Sequence, residues 1–175
     1  MAIKNRQMKM NKLTLMTLII VFLGNQFKTH AQDAKFQALI IYNFTKLLDW
    51  PDKSGNFVIN VITDNELAKE LSSFTSGRKA GGVQDFEIRQ ADENDTNCQI
   101  IVVSIAESDK LDKIIENING KNILLITEKN GLTDDGAGIS LVKKSGTWKF
   151  EYNESNIKAQ GIKVSADFKE LGIAK

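Results

Sequence analysis

Three short apolar runs dominate the hydrophobic pattern of this chain, at residues 57–62, 98–104 and 123–127. A strand with one exposed face alternates apolar and polar residues, whereas a strand covered on both faces has an almost unbroken apolar run. The run 98–104 is rich in β-branched residues and ends at a serine, so we predict that it is the central strand of a sheet. Helical patterns separate the three runs, as expected for β-α-β units and a parallel sheet.

An amphipathic helix is predicted over residues 34–49, before the first strand. Its apolar residues recur at helical spacing over a wide face, which indicates burial against the sheet. Asp33 is the predicted N-cap, because its carboxylate can accept hydrogen bonds from the free N–H groups of the first turn. Trp50 and Pro51 end the helix, since the residue before a proline is pushed out of the α-helical region.

Further helices are predicted from capping residues and periodicity. One follows Asp64, a short one runs toward Gly161, and the last follows Ser165. The most regular pattern follows Ser108 as the predicted N-cap and ends at Gly120 in the C′ position. The apolar residues of that helix are Leu111, Ile114, Ile115 and Ile118.

Residues 83–90 alternate as in a half-exposed or edge strand. The last two strands are predicted to be antiparallel, because residues 139–143 and 147–152 form a hairpin around Ser145 and Gly146. Trp148, Phe150 and Tyr152 share one face of that hairpin, which indicates either core packing or a platform for a ligand. The predicted fold is therefore a single α/β domain over residues 32–175. It has a mostly parallel central sheet, helices on both faces and a C-terminal antiparallel hairpin.

Residues 1–31 have the pattern of a secretory signal peptide. Basic residues precede the apolar run from Leu13 to Leu23, and small residues at Thr29 and Ala31 form a cleavage site before Gln32. An uncleaved membrane anchor is the alternative, but the run covers only about half of the ~20 residues that span a bilayer. We therefore expect an exported protein, cleaved near Ala31, with no stable membrane insertion afterwards.

Cleavage changes which functions the composition allows. All the basic residues of the leader are lost, so the mature chain is acidic overall and nucleic acid is not an expected partner. The chain's single histidine, His30, also leaves, which excludes a Ser-His-Asp or Cys-His catalytic site and a histidine zinc site. Cys98 is the chain's single cysteine, so no internal disulfide is expected, and it is most simply a buried small apolar residue. We predict no enzyme activity, no catalytic residues, no metal and no cofactor.

Two segments are candidate binding sites. The glycine-rich stretch 76–82 lacks the spacing of a nucleotide P-loop, and it is either a solvated connection or a small anion site with Arg78 and Lys79. The loop 128–138 follows a core strand, where open α/β sheets bind ligands, but its acidic residues lack the spacing of a calcium loop, and a solvated turn is favoured. Trp50, at the corner between helix and strand, is a further candidate because it could present a large aromatic side chain near the surface.

Several motifs resemble the YfiR-like family of periplasmic proteins, and they cover nearly the whole mature chain. At the N-terminal end they are Phe36, Ile40, Ile41, Tyr42, Asn43, Phe44, Lys46, Trp50 and Pro51; further along they are Gly77-Arg78, Cys98-x-Ile100-Ile101 and Gly138-Ile139; at the C-terminal end they are Phe150, Asn153, Ala159, Gly161, Ile162, Val164 and Ser165. The resemblance implies a small α/β periplasmic protein, often a homodimer. In the best-studied branch it inhibits a membrane diguanylate cyclase until an outer-membrane lipoprotein sequesters it. Members of that branch carry disulfides, and this chain departs from them because Cys98 has no partner cysteine.

Two functions from different classes follow. The first is a non-enzymatic periplasmic regulator or adaptor that acts by protein–protein contact on a membrane signalling protein, such as a diguanylate cyclase, or on an outer-membrane lipoprotein. The second is a small-ligand-binding protein that uses the loops at the carboxyl ends of the core strands, with Arg78 as an anion anchor.

Overall fold

The apolar runs form the middle of an eight-stranded, mostly parallel sheet in the computed structural model, which describes residues 31–175. The predicted leader, with its basic residues, apolar run and His30, lies outside the described residues apart from Ala31, so the signal peptide stays a prediction. The helices are α1 (31–47), α2 (Asn65–Thr75), α3 (Leu111–Ile118), α4 (Glu154–Ala159) and α5 (Ala166–Leu171). The strands are β1 (Leu48–Asp49), β2 (Phe57–Ile62), β3 (Lys79–Ala80), β4 (Gln84–Gln90), β5 (Ile100–Val103), β6 (Leu124–Thr127), β7 (Ile139–Lys144), β8 (Thr147–Tyr152), β9 (Lys163–Val164) and β10 (Ile173–Ala174).

The strand order of the main sheet is β10-β8-β7-β6-β5-β2-β4-β3. Strands β4, β2, β5, β6 and β7 are mutually parallel, whereas β8 is antiparallel to β7 and β3 is antiparallel to β4. β5 lies between β2 and β6 and all four of its residues are buried, which confirms that it is a central strand. Two-residue strands β1 and β9 form a separate antiparallel pair.

The two faces of the sheet carry separate apolar cores, as the unbroken apolar runs predict. Ile100 and Val102 of β5 face α1 and α2, together with Phe44, Leu67 and Leu71. Ile101 and Val103 face the opposite side and pack with Leu111, Ile114 and Ile118 of α3. Helices therefore cover both faces, and the α/β class predicted from the sequence is confirmed.

Several boundaries and caps differ from the sequence-based predictions. Asp33 lies inside α1 and is not its N-cap, and α1 ends at residue 47 because Leu48 and Asp49 pair with β9 as β1. Ser108 does not cap α3: it lies in a short 3₁₀ helix (Ile105–Lys110), where its hydroxyl donates to the Ile105 carbonyl. A 3₁₀ turn satisfies these N–H groups with local i→i+3 bonds, so no side-chain cap is needed.

Other caps are confirmed. The Asp64 carboxylate accepts a hydrogen bond from Leu67 N at 2.9 Å, and the Ser165 hydroxyl accepts one from Phe168 N at 3.1 Å. Gly120 adopts φ 70° after the last turn of α3, the left-handed conformation that glycine tolerates best. The stretch 83–90 forms a strand as predicted, but it lies one position in from the edge because β3 pairs outside it.

Candidate functional site

The carboxyl ends of β2, β5 and β6 place three polar residues at one edge of the sheet. Asp64 follows β2, Ser104 follows β5 and Glu128 follows β6. Between β2 and β5 the connectivity also changes direction, since the chain goes from β2 through α2 to β4 on one side, and from β5 through α3 to β6 on the other. Ligands of open α/β sheets bind at such a switch point, outside the carboxyl ends of the strands.

Glu128 is held in contact with α1 and with the loops after β2 and β5. The Gln37 amide donates to its carboxyl at 3.0 Å, and the backbone N–H of Ile105 also donates to it. Burial, together with the neighbouring Asp64 carboxyl, which is within hydrogen-bonding reach, raises the pKa of Glu128 to about 7. The Glu128 side chain is therefore protonated in part of the molecules at neutral pH.

Ser104 lies beside Glu128 on the same face of the sheet. Val103 pairs with Thr127, so the next residues on the two parallel strands, Ser104 and Glu128, are neighbours. Strand alternation directs both side chains to the face that α1 covers, because Val102 and Ile126 point to that face. Ser104 is only 8% exposed and its hydroxyl has no hydrogen-bond partner. We refer to Gln37, Asp64, Ser104 and Glu128 as the carboxyl-edge cluster.

A second feature is an apolar groove of about 410 Å³ between α1, β8 and the C-terminal end of the chain. We call it the helix–hairpin groove; its main apolar lining residues are Ile40, Phe44, Leu47, Trp148, Leu171 and Ile173. Large apolar side chains are exposed at the groove and beside it: Leu171 is 65% exposed, Phe36 48% and Leu39 39%. Phe36 lies one helical turn before Ile40, so it extends the same face of α1. This surface can bury apolar area from another protein.

The aromatic stripe of the hairpin belongs only in part to the core. Phe150 and Tyr152 are buried in the core, where Phe150 packs against Phe44 and Phe168 at centroid distances of 4.9 and 5.0 Å. Trp148, at the far end of β8, is half-buried and lines the helix–hairpin groove. The stripe is thus core at one end and surface at the other.

Trp50, predicted as a surface aromatic, is buried and only 4% exposed. Its indole N–H donates to the Gln99 carbonyl at 3.3 Å, and its ring packs edge-on against Phe57 at 4.9 Å. It lies at the amino-terminal edge of the parallel sheet. There it lines a small cavity of about 40 Å³ together with Ala80 and Gly81, so the structure does bring Trp50 and the glycine-rich segment together.

Arg78 and Lys79 are exposed at the same amino-terminal edge, and both have local partners. The Arg78 guanidinium lies over the Phe74 ring at 4.5 Å and donates through Nε to the Phe74 carbonyl at 2.6 Å. Lys79 forms an ion pair with Asp85 at 2.7 Å. The segment is a turn that leads into β3, with Gly77, Gly81 and Gly82 at positive φ. Arg78 does not lie beside the carboxyl-end loops, as a shared ligand site would require. It follows the end of α2, which runs from the carboxyl edge of the sheet to the amino-terminal edge.

Cys98 is buried beside a polar pocket of about 170 Å³ at the start of β5. Burial raises the pKa of its thiol to about 12, and the nearby Asp95 adds to this effect. The thiol is therefore protonated at neutral pH, and the reactive thiolate is scarce.

Two findings concern the described residues 31–175 as a whole. No group of three or more histidine, cysteine, aspartate or glutamate side chains in this part of the chain is arranged to hold a metal ion. None of the helices within it has the length and apolar character needed to cross a membrane.

The sheet and its two helical layers define an α/β domain. The chain belongs to the YfiR/HmsC-like family, whose family model matches residues 34–172. Proteins of this family are in general periplasmic and act in the regulation of cyclic di-GMP signalling. It is a regulatory family and not a family of enzymes.

One solved structure with the same fold is the ABC domain in complex with L-Trp from Streptococcus pneumonia. It is 12% identical, with a TM-score of 0.54, over 76% of this chain and 58% of that chain. The present chain therefore spans little more than half the length of that protein, and the likeness concerns the fold alone. A search of curated proteins gives no match to this chain.

Proposed function

We propose that this protein is a periplasmic, non-enzymatic regulator that binds a membrane signalling protein through the helix–hairpin groove. By family resemblance the partner is a membrane diguanylate cyclase, which the bound regulator holds inactive. An outer-membrane lipoprotein that competes for the regulator is the second partner that the resemblance implies.

The observation that carries this proposal is the apolar surface at the groove. Leu171, which lines the groove together with the half-buried Trp148, exposes 65% of its area, and Phe36, one helical turn before the groove residue Ile40, exposes 48%. Large side chains in this setting expose apolar surface to water, and contiguous patches of this kind mark protein-binding sites. Trp148 is also the residue type that most often contributes strongly to interface affinity.

The groove is formed by parts of the chain that are fixed relative to one another. β10 pairs with β8, and Gly172 at the turn before it lies against Phe150 and Tyr152. On the opposite wall, Phe44 of α1 packs against the Phe150 and Phe168 rings. Such a preformed surface loses little conformational entropy on binding.

Arg78 and Lys79 are proposed as a second contact, independent of the groove. They place positive charge on a mature chain that is acidic overall, and both are exposed. An anionic segment of a partner would be complementary to this charge. Trp50 packs next to this segment from the core side, because it lines a small cavity together with Ala80 and Gly81.

The proposal is tested by site-specific photo-crosslinking in cells that express the protein. A photoreactive residue at Leu171 should capture a membrane protein of the diguanylate cyclase type. The same residue at Glu116 is the control, because Glu116 is exposed on α3, which packs on the opposite face of the sheet from α1. Loss of the protein should raise cellular cyclic di-GMP. Capture of the same proteins from both positions, or an unchanged cyclic di-GMP level, would contradict the proposal.

A further inference from the structure

We propose that the carboxyl-edge cluster binds the protonated amino group of a small primary amine that carries an apolar substituent. This inference rests on observations at the carboxyl ends of β2, β5 and β6, and it is independent of the groove on which the proposed function depends.

The first observation is the charge of the cluster. Within the described residues, the groups that act on the Glu128 carboxyl are the Asp64 carboxyl, the Gln37 amide and the Ile105 backbone N–H, with no basic side chain among them. Asp64 lies next to Glu128 without a cation between them, and this proximity disfavours the ionised form of Glu128. A bound cation would allow both to ionise.

The second observation is the unsatisfied hydroxyl of Ser104. A buried polar atom without a partner is uncommon in folded proteins and costs free energy unless a ligand or water supplies the missing bond. Ser104 is 8% exposed, its oxygen has no partner, and its position in register beside Glu128 directs it toward the cluster.

The acceptors match the donors of an ammonium group. A protonated primary amine has three N–H donors, and the cluster offers one acceptor each from Asp64, Ser104 and Glu128. Binding at neutral pH favours the ionised form of Glu128, so the proton that Glu128 carries in part of the molecules passes to the buffer. A quaternary ammonium has the same charge but no N–H donor, and the geometry gives it no means of satisfying Ser104.

The surroundings select an amine with an apolar substituent. Ile105, whose N–H donates to Glu128, exposes 60% of its own area at this edge. An apolar group attached to the amine would cover part of this side chain, while the cluster holds the charged end.

The test is a titration of the full mature protein with isopentylamine hydrochloride, followed by backbone amide NMR. We expect saturable shifts at Gln37, Ile105 and Glu128, and no saturable shift with trimethyl(isopentyl)ammonium, which has the same charge and tail.

Calorimetry in buffers of different ionisation enthalpy should show proton release, which Glu128→Gln should abolish. Ser104→Ala should weaken binding several-fold, whereas Ser72→Ala, an exposed serine on α2, should not.

Three outcomes would overturn the inference. They are equal effects of the primary and the quaternary amine, unchanged affinity in Ser104→Ala, and saturable shifts with calcium chloride in place of the amine. Since Leu171 takes no part in this site, Leu171→Asp should bind the amine normally. Failure of the groove proposal is therefore distinguishable from failure of this one.

Discussion

The side-chain amide of Gln37 on α1 donates a 3.0 Å hydrogen bond to the carboxyl of Glu128, which lies 91 positions later at the end of β6. This bond joins the first helix to the carboxyl edge of the sheet. Because Glu128 also contacts Asp64 and the Ile105 N–H, one half-buried carboxyl connects α1 with the loops after β2 and β5.

Glu128 should make folding stability depend on pH. Its pKa rises from 4.5 to about 7 on folding, so the folded chain binds the proton more tightly than the unfolded chain. The free energy of unfolding should therefore fall as the pH rises through this window, by about 3 kcal/mol at most, and stay constant above it. Urea unfolding between about pH 4 and about pH 8 measures this slope.

The matched variants are Glu128→Gln and Glu116→Gln, the second at an exposed position on α3. Glu128→Gln should remove most of the slope and be more stable than the native protein above about pH 7, since a neutral amide can donate to Asp64. Glu116→Gln should keep the slope. A native protein with no fall in stability across the window would show that Glu128 ionises normally.

Val102→Asp tests the position of β5 at the centre of the sheet. Val102 is 1% exposed between Val61 and Ile126, so a carboxylate there would have no polar partner. The substitution should cost several kcal/mol of stability and abolish cooperative unfolding. Val83→Asp, at a 65% exposed valine, should stay within about 1 kcal/mol of the native protein. Similar melting temperatures for the two variants would mean that β5 is not a central strand.

Most of the fold could be predicted from the sequence because its signals are local. The strands β2, β5 and β6 are unbroken apolar runs, and Asp64 and Ser165 are caps within a few residues of the N–H groups that they satisfy. The prediction that Ser108 caps α3 was wrong because it also used only a local signal. A serine before a periodic run has the pattern of an N-cap even where a 3₁₀ turn precedes the helix.

The candidate sites were less predictable, because they depend on contacts between distant parts of the chain. Gln37 and Glu128 have no local pattern that pairs them, and the free hydroxyl of Ser104 is visible only in the structure. The loop after β6 can be selected from the sequence, because ligands bind at the carboxyl ends of parallel strands. Ser104 carries no such signal, since in the sequence it is only the polar residue that ends an apolar run. Trp50 was expected near the surface, but Pro51 turns the chain with the indole directed inward onto Phe57.

Gly172 should tolerate no side chain. Its backbone is extended, but a Cβ atom there would lie 2.4 Å from Phe150 Cε2 and 2.6 Å from Tyr152 Cδ1. Gly172→Ala should therefore cost about 1–3 kcal/mol by forcing core rings to move. Gly77→Ala, where nothing lies within 4 Å but φ is +70°, should cost only about 1 kcal/mol. Equal and small losses in chemical denaturation would show that β10 does not pack closely on the hairpin.

Arg78→Ala tests the proposed second contact. The Arg78 side chain is exposed, and its contacts with Phe74 are local, so the loss of stability should stay below about 1 kcal/mol. Affinity for the captured partner should fall if the exposed charge takes part in recognition. Thermal unfolding and partner affinity are measured on the same sample, with Lys69→Ala on the exposed side of α2 as the control. Unchanged affinity would identify the 76–82 segment as a solvated connection.

The most direct test of the account is the affinity of two charge-changing variants for the purified partner. Leu171 is 65% exposed and lines the helix–hairpin groove, whereas Glu116 is exposed on α3 and does not line it. If the groove binds the signalling protein, Leu171→Asp should weaken binding at least about tenfold, as expected for an interface hot spot of about 2 kcal/mol. Glu116→Lys should bind like the native protein, and both variants should unfold at nearly the native temperature. Equal affinities for the native protein and Leu171→Asp would contradict the account.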